Sequence, residues 1–121
     1  MLLLLGGVLM VISHLLAGSY GVHPSALECT LWHESRWDPE AVNGVHLGLS
    51  QFRTEDPSTW DWMLEQALAD PTYHHAHLHQ DPDPRDPLQA IALTVWAFRE
   101  GYQWHWSAYR FCWDIEMKGV R

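Results

Sequence analysis

The chain opens with an apolar run over residues 1–17 that only two polar residues interrupt. Such a run has about the length of the apolar segment of an export signal and is short for a membrane span. Ala17 and Ser19 supply small residues at the spacing that a signal peptidase prefers, although no Lys or Arg precedes the run. The pattern predicts that residues 1–20 are an export signal or a short membrane anchor. The alternative is a buried N-terminal helix of the mature domain.

A helix is predicted to follow, with Glu34 in its last turn. Ser25 and Glu28 have the spacing of a capping box, in which hydroxyl and carboxylate satisfy free amide groups at the start of a helix. The helix should end before Pro39, because the residue preceding a proline is pushed out of helical geometry. Beyond it, the Asn43-Gly44 turn signal lies beside alternating apolar residues. This pattern predicts a small hairpin or an extended loop.

Two later helices are predicted from the same Asp-Pro pair at their start. Asp56-Pro57 is typical of a cap followed by the first helical position, and Asp86-Pro87 repeats the signal. The second of these helices should end at Gly101, a predicted C-terminal cap. Residues 71–87 are dense in Pro, Asp and His, which indicates an exposed loop, and a last Trp-rich helix is predicted over about residues 103–117. The fold class is therefore mainly α, a small α+β domain with a short hairpin or extended loop after the helix that carries Glu34.

Composition and charge narrow the possible functions. A chain of 121 residues with 47% hydrophobic residues suits one globular domain rather than a disordered chain. Its net charge of −8 argues against nucleic acid as a partner, because phosphate neutralisation needs clustered Lys and Arg. No cofactor is indicated.

Two features raise the question of metals and disulfides. Cys29 and Cys112 would form a disulfide if the chain is exported, and closing so long a loop would stabilise the domain by roughly 4 kcal/mol. The alternative is two buried free thiols. A histidine cluster, which comprises His74, His75, His77 and His79, has spacing that suits no familiar metal site, so a solvated loop without metal is favoured.

The stretch from His33 to Phe52 carries the most specific signal. Glu34-Ser35 at a helix end is followed by Asp38-Pro39-Glu40-Ala41-Val42 and by Gly48-Leu49-Ser50-Gln51. These segments resemble the Asn-Pro-x-Ala-Val and Gly-Leu-Met-Gln motifs of lytic transglycosylases in the lysozyme-like superfamily. Gln51-Phe52 with Ser58-Thr59-Trp60 is similar to the resuscitation-promoting factors of that superfamily, and Gly101 to Trp106 resembles its closing tail. Ser50 stands where the family has Met, and Arg53-Thr54-Glu55 is an insertion relative to the resuscitation factors.

The resemblance implies a lysozyme-like catalytic domain over residues 21–121 that cleaves the β-1,4 glycan strand of bacterial peptidoglycan. It implies that Glu34 is the catalytic acid. The substrate-binding residues that it implies are Ser35, Ser50, Gln51, Thr59, Trp60 and Trp106. Trp104 and Trp113 are interpreted as core residues.

Glycosidic bond cleavage explains why a glutamate would stand at this place. The leaving oxygen must receive a proton from a carboxylic acid that is still protonated near neutral pH, and apolar surroundings raise a carboxyl pKa in that direction. Leu31, Trp32 and Trp37 are near Glu34 in sequence, whereas a solvated glutamate is the structural alternative. No second carboxylate is evident, because Asp38 precedes a proline and Asp56 fits a helix cap. This favours the mechanism with a single acid/base that the resemblance to lytic transglycosylases implies, over simple hydrolysis by a muramidase.

Two other functions stay open at this point. The first is a non-catalytic peptidoglycan-binding or virion structural protein of the same fold. The second is an unrelated helical, membrane-anchored protein whose motif match is accidental. For the enzyme we expect peptidoglycan strands as partner, membrane association through the N-terminal segment, and an exported location in the cell envelope or outside the cell. A phage lysis or virion component is the alternative origin.

Overall fold

Helices account for most of the chain, and a small sheet separates the second helix from the third. The computed structural model describes residues 2–73 and 83–113. The helices are α1 (Leu2–Ser19), α2 (Pro24–Ser35), α3 (Thr59–Ala69) and α4 (Pro87–Arg99), followed by a 3-10 helix (Gln103–His105) and helical residues 109–113. The strands are β1 (Val42–Asn43), β2 (His46–Leu47) and β3 (Phe52–Arg53). This confirms the predicted mainly helical class with a short extended region after the helix that carries Glu34.

Helix α4 is the centre of the core. Every residue from Gln89 to Phe98 is buried, which agrees with a segment that is apolar around its whole circumference. Asp86 caps the start of the helix, as predicted. Its side-chain oxygen accepts from the backbone amides of Leu88 and Gln89. At its end Gly101 has φ +88°, and the amide of Tyr102 donates to the carbonyl of Ala97. This is a Schellman motif, and it confirms the predicted cap at Gly101.

The start of α2 differs from the sequence prediction. The helix begins at Pro24, and the Nδ1 atom of His23 accepts from the amide of Ala26. The capping box at Ser25 is therefore wrong, and the Glu28 carboxylate contacts His14 instead. Proline has its φ preset for the first helical position and needs no partner for a backbone N–H, so the cap lies two residues earlier than predicted, at His23.

The end of α2 agrees with the prediction. The helix stops at Ser35, before Pro39, with Glu34 in its last turn. Arg36 and Trp37 follow with φ values of 55° and 63°, in the left-handed region that few residues other than glycine adopt. Two such residues in succession turn the chain sharply away from the helix axis.

The predicted cap of α3 is wrong by two residues. The helix begins at Thr59, and the Ser58 hydroxyl accepts from the amide of Asp61. Asp56 and Pro57 are exposed and lie outside the helix. Ser58 meets the same requirement as an aspartate would, because its hydroxyl satisfies a free amide of the first turn. The apolar stripe is as predicted: Trp60, Met63, Leu64 and Ala67 are buried, and Leu68 packs partly buried against the core.

The three strands form one antiparallel sheet in the order β1-β2-β3. Val42 pairs with Leu47 and Asn43 with His46, so the hairpin loop consists of Gly44 and Val45. Gly44 alone of these two has a positive φ, of 64°. The predicted hairpin is confirmed, although Asn43 belongs to the strand rather than to the centre of the turn. The third strand was not predicted, since two residues carry no readable alternation.

Helix α1 packs on the domain with one face. Leu9 and Ala17 are buried in the core, and the helix contacts both α2 and α4. The other face leaves Val8, Val11 and Leu15 more than half exposed. Among the described residues, no helix has the length and apolar character needed to cross a bilayer. The assignment of residues 1–20 to an export signal or anchor stays a prediction.

The C-terminal part does not form the continuous helix predicted over residues 103–117. The 3-10 helix ends at His105, a turn follows, and helical geometry resumes at residue 109. The break positions Trp106, whose Nε1 donates to the carbonyl of Ser50 at 2.7 Å, so tertiary packing overrides local helix formation. Trp104 and Trp113 are 53% and 38% exposed, which makes their assignment to the core wrong. Residues 114–117 and the histidine cluster lie outside the described residues.

Cys29 and Cys112 form a disulfide, as the export interpretation predicted. Their Cα atoms lie 5.8 Å apart, within the normal range for such a bond. The bond joins α2, the helix that carries Glu34, to the segment that follows Trp106.

Candidate active site

An open cleft lies between the end of α2, the sheet and the segment around the 3-10 helix. Its volume is about 160 Å³. The lining residues come from five separate stretches of the chain: Glu34, His46, Gln51, Phe52, Arg53, Thr59, His105, Trp106 and Ser107. Four residues predicted for the site, Glu34, Gln51, Thr59 and Trp106, are therefore brought together.

Glu34 stands at the edge of the core. Its side chain is half-buried, and Leu31 and Trp37 near it in sequence are buried. Burial raises the pKa of the Glu34 carboxyl above its ordinary value, and the charge of His46 opposes this shift to a smaller extent. Desolvation thus shifts the carboxyl toward its protonated form, which is the direction that a proton donor requires. The guanidinium of Arg36 lies 4.6 Å from the ring centre of Trp32, and Arg36 is not part of the cleft lining.

Gln51 holds the floor of the cleft in place. Its Nε2 donates to the carbonyls of Ala41 and Gly48, at 3.0 and 2.9 Å. The residue has φ 53° and is almost fully buried. Since both side-chain N–H groups bond to the hairpin, the Oε1 atom is the group of Gln51 that is left for a substrate hydroxyl or amide.

Trp106 forms part of the wall with little freedom to move. The indole is only 5% exposed and packs edge-on against Phe52, with ring centres 5.4 Å apart. The hydrogen bond from its Nε1 atom to the carbonyl of Ser50 also holds the ring in place. The indole therefore offers a ligand little surface for stacking. Thr59, the first residue of α3, is half-buried and also lines the cleft.

Three other residues predicted to bind substrate lie outside the lining. The Ser35 hydroxyl donates back to the carbonyl of Leu31, and the Ser50 hydroxyl bonds to that of Thr94 at 2.5 Å. Trp60 is 3% exposed and packs edge-on against Phe52 in the core. These three side chains therefore pack behind the lining residues and do not line the cleft.

The described lining contains no carboxylate besides Glu34. Asp38 has a structural role, because its Oδ1 accepts from the amide of Glu40. Glu55 and Asp56 are exposed and also lie outside the lining. The arrangement suits chemistry with a single acid/base and offers no side-chain nucleophile of the kind that retaining glycosidases use.

Sequence reasoning missed the arginine and the two histidines of the cleft lining. His46 and Arg53 are paired residues of β2 and β3, so both side chains project from the same face of the sheet. His105 joins them from the 3-10 helix. The alternation of Val45, Leu47 and Leu49 already indicated that the His46 side chain lies on the opposite face of the strand from these apolar residues. The sequence did not show that β3 pairs with this strand and places Arg53 opposite His46.

The cleft continues into a second depression. This neighbour has a volume of about 460 Å³ and shares Arg53, Thr59 and His105 with the first. Trp62, which is 41% exposed, forms part of its surface. Together the two depressions form a groove with Glu34 in one half and an accessible aromatic ring in the other. Such a shape suits an extended substrate better than a small enclosed one.

In the described part of the chain, one group of side chains has the proximity of metal ligands. It consists of Cys29, His33 and Cys112. The two cysteine sulfurs are bonded to each other, so neither is available as a thiolate ligand.

Comparisons with protein-family models, with curated proteins and with solved structures find no match to this chain.

Proposed function

We propose that this chain cleaves the β-1,4 glycan strand of bacterial peptidoglycan, with Glu34 as general acid and then as general base. The observation that carries the proposal is the half-buried Glu34 carboxyl, which burial shifts toward its protonated form at the side of an open cleft. The resemblance of residues 34–60 to lytic transglycosylase and resuscitation-factor motifs supports peptidoglycan as the polymer.

The reaction that fits this lining needs one carboxyl group. Protonated Glu34 gives its proton to the glycosidic oxygen as the bond from that oxygen to the muramoyl C1 breaks and positive charge develops on the ring. The C6 hydroxyl of the same muramoyl unit then attacks C1, and its proton passes to the Glu34 carboxylate. The products are a strand with a free hydroxyl and a strand with an anhydro-muramoyl end. No water is consumed, and Glu34 returns to its starting state.

Hydrolysis by the same residue is the nearest alternative. A water molecule would then replace the C6 hydroxyl, activated by the Glu34 carboxylate. The described lining offers no second carboxylate to hold such a water on the opposite face of the sugar, and we therefore favour the intramolecular reaction.

The substrate also sets the place of action. Peptidoglycan lies outside the cytoplasmic membrane, so we propose an exported protein of the cell envelope or the extracellular space. The N-terminal segment would serve as export signal or anchor, and the Cys29–Cys112 disulfide agrees with an oxidising compartment. A phage lysis or virion protein would meet the same wall.

The test compares Glu34→Gln with Glu65→Gln, a matched change at an exposed position of α3 outside the cleft lining. We expect the unmodified chain and Glu65→Gln to clear a peptidoglycan suspension, and Glu34→Gln to lose this activity while keeping its circular dichroism spectrum. Mass spectrometry of released fragments should show anhydro-muramoyl ends. Retained activity in Glu34→Gln, or an unmodified chain that binds glycan without cleaving it, would overturn the proposal.

A further inference from the structure

The groove is less acidic than the chain as a whole. The whole protein carries a net charge of −8 with histidines counted as neutral, from 15 acidic and 7 basic residues. The described lining of the cleft and its neighbouring depression contains one acid, Glu34, and one arginine, Arg53. Two histidines, His46 and His105, add groups that become positive on protonation.

Arg53 is the central member of this set. It belongs to both halves of the groove. Over residues 2–73 and 83–113 its guanidinium forms no ion pair, whereas Arg85 and Arg99 each pair with an aspartate. Among the described residues, its one side-chain hydrogen bond goes from a terminal nitrogen to the carbonyl of Asp56, at 3.5 Å. A charged group in a groove with one weak partner has most of its donors left for a ligand.

The Nε atom of Arg53 also lacks a hydrogen-bond partner among these residues. It is buried from solvent and has no hydrogen-bond acceptor in the described structure. Buried donors of this kind are rare, because each one loses its water without a replacement. Directly across the sheet, His46 adds a second group that becomes positive on protonation. Like charges at opposed positions of a sheet repel each other, and an anion held by the terminal nitrogens of Arg53 beside protonated His46 would reduce that repulsion.

We propose that Arg53, with His46 beside it, binds a carboxylate of the glycan substrate. The planar guanidinium fork matches a carboxylate with two parallel hydrogen bonds. This inference rests on the proposed function, and it deepens that function by making the preferred substrate an anionic polysaccharide rather than a neutral one. Two carboxylates are available in peptidoglycan: the lactyl group of a muramic acid whose peptide has been removed, and the acid groups of the attached peptide.

The test measures binding in the Glu34→Gln background, so that no probe is consumed. The probes are a neutral β-1,4-linked N-acetylglucosamine oligomer, peptide-free glycan strands with lactyl carboxylates, and a disaccharide-peptide with its lactyl group in amide linkage. Isothermal titration gives Kd for the parent and for added Arg53→Gln, Arg53→Lys and Arg110→Gln changes. Arg110 is an exposed control outside both linings.

We expect Arg53→Gln to weaken binding of a carboxylate probe by about tenfold or more, the loss of one charge-assisted pair, and to leave the neutral oligomer within about twofold. Arg53→Lys should retain part of the preference, and Arg110→Gln should retain all of it. With Arg53 intact, added salt should weaken only the anionic probes. A loss confined to the strands assigns the lactyl carboxylate, a loss confined to the disaccharide-peptide assigns the peptide acids, and a loss with both assigns either source.

Equal Kd values for neutral and anionic probes, or an equal loss of both in Arg53→Gln, would overturn the carboxylate site. The salt dependence of the Arg53-containing protein decides the matter if Arg53→Gln fails to fold. Charge-selective binding by a chain that never cleaves peptidoglycan would overturn the proposed function alone. Cleavage without charge selectivity would overturn this inference alone.

Discussion

Gly48 joins the sheet to the loop before α4 through an unusually close approach. It has φ +81°, and a Cβ atom built on it would lie 2.0 Å from the carbonyl oxygen of Pro84 and 2.9 Å from its carbon. Real Cβ contacts essentially never fall below 3.0 Å. Gly48→Ala must therefore move one of two backbone segments, because no flexible side chain is there to give way.

The size of the effect follows from two separate contributions. A residue other than glycine in the left-handed region costs about 1–2 kcal/mol. Forcing an extra methyl group into a filled space adds about 1–3 kcal/mol. Gly44 isolates the first contribution, since it has φ +64° and its Cβ would meet nothing within 4 Å. We expect Gly48→Ala to lower the free energy of unfolding by about 2–5 kcal/mol and Gly44→Ala by about 1–2 kcal/mol.

Urea unfolding followed by tryptophan fluorescence measures both variants under the same conditions. Gly48→Ala should also reduce glycan cleavage by more than the loss of folded protein accounts for. The reason is that the Gly48 carbonyl accepts from both the backbone N and the Nε2 of Gln51. Equal destabilisation by the two alanines would show that the approach of Pro84 does not constrain this loop.

Three further outcomes can be measured on the same protein. Replacing Cys29 and Cys112 by serine should lower the free energy of unfolding by about 4.5 kcal/mol, because the unfolded chain is then no longer restricted by the loop that the disulfide closes. A loss below about 1 kcal/mol would contradict this loop estimate. His46→Gln removes a charge that lowers the Glu34 pKa, so the alkaline limb of the pH–activity profile should move to higher pH, whereas a shift to lower pH would contradict the sign. Glu34→Gln should stabilise the fold at neutral pH, because a raised carboxyl pKa means that stability is present at low pH and is lost as pH rises through that pKa. This gain should vanish in acid, and a pH-independent difference would show that ionisation is not its cause.

Local signals in the sequence located the helices well where capping chemistry was strong. Asp86-Pro87 and Gly101 bracket α4 as predicted, since each residue satisfies a requirement of its own backbone. The starts of α2 and α3 were misplaced because several residues near each start can cap a helix. Which of them does so depends on the path of the incoming chain.

The site was predictable only in part, for a different reason. Glu34 and Gln51 follow from motif resemblance, and the cleft brings them together. The placement of Arg53 beside His46 depends on the register of two very short strands, which the residues alone do not reveal. Trp60 was assigned to the groove but is buried, because Phe52 packs against its ring. Tertiary contacts decided both cases.

The protonation of Glu34 in the free protein is the quantity on which the enzymatic interpretation rests. Carbon NMR of protein labelled at glutamate side-chain carboxyls, with Glu34→Gln to assign the signal, measures its pKa directly. We expect a midpoint clearly above those of the exposed glutamates, because burial raises the pKa more than His46 lowers it. A Glu34 midpoint equal to or below that of the exposed residues would contradict its role as the proton donor.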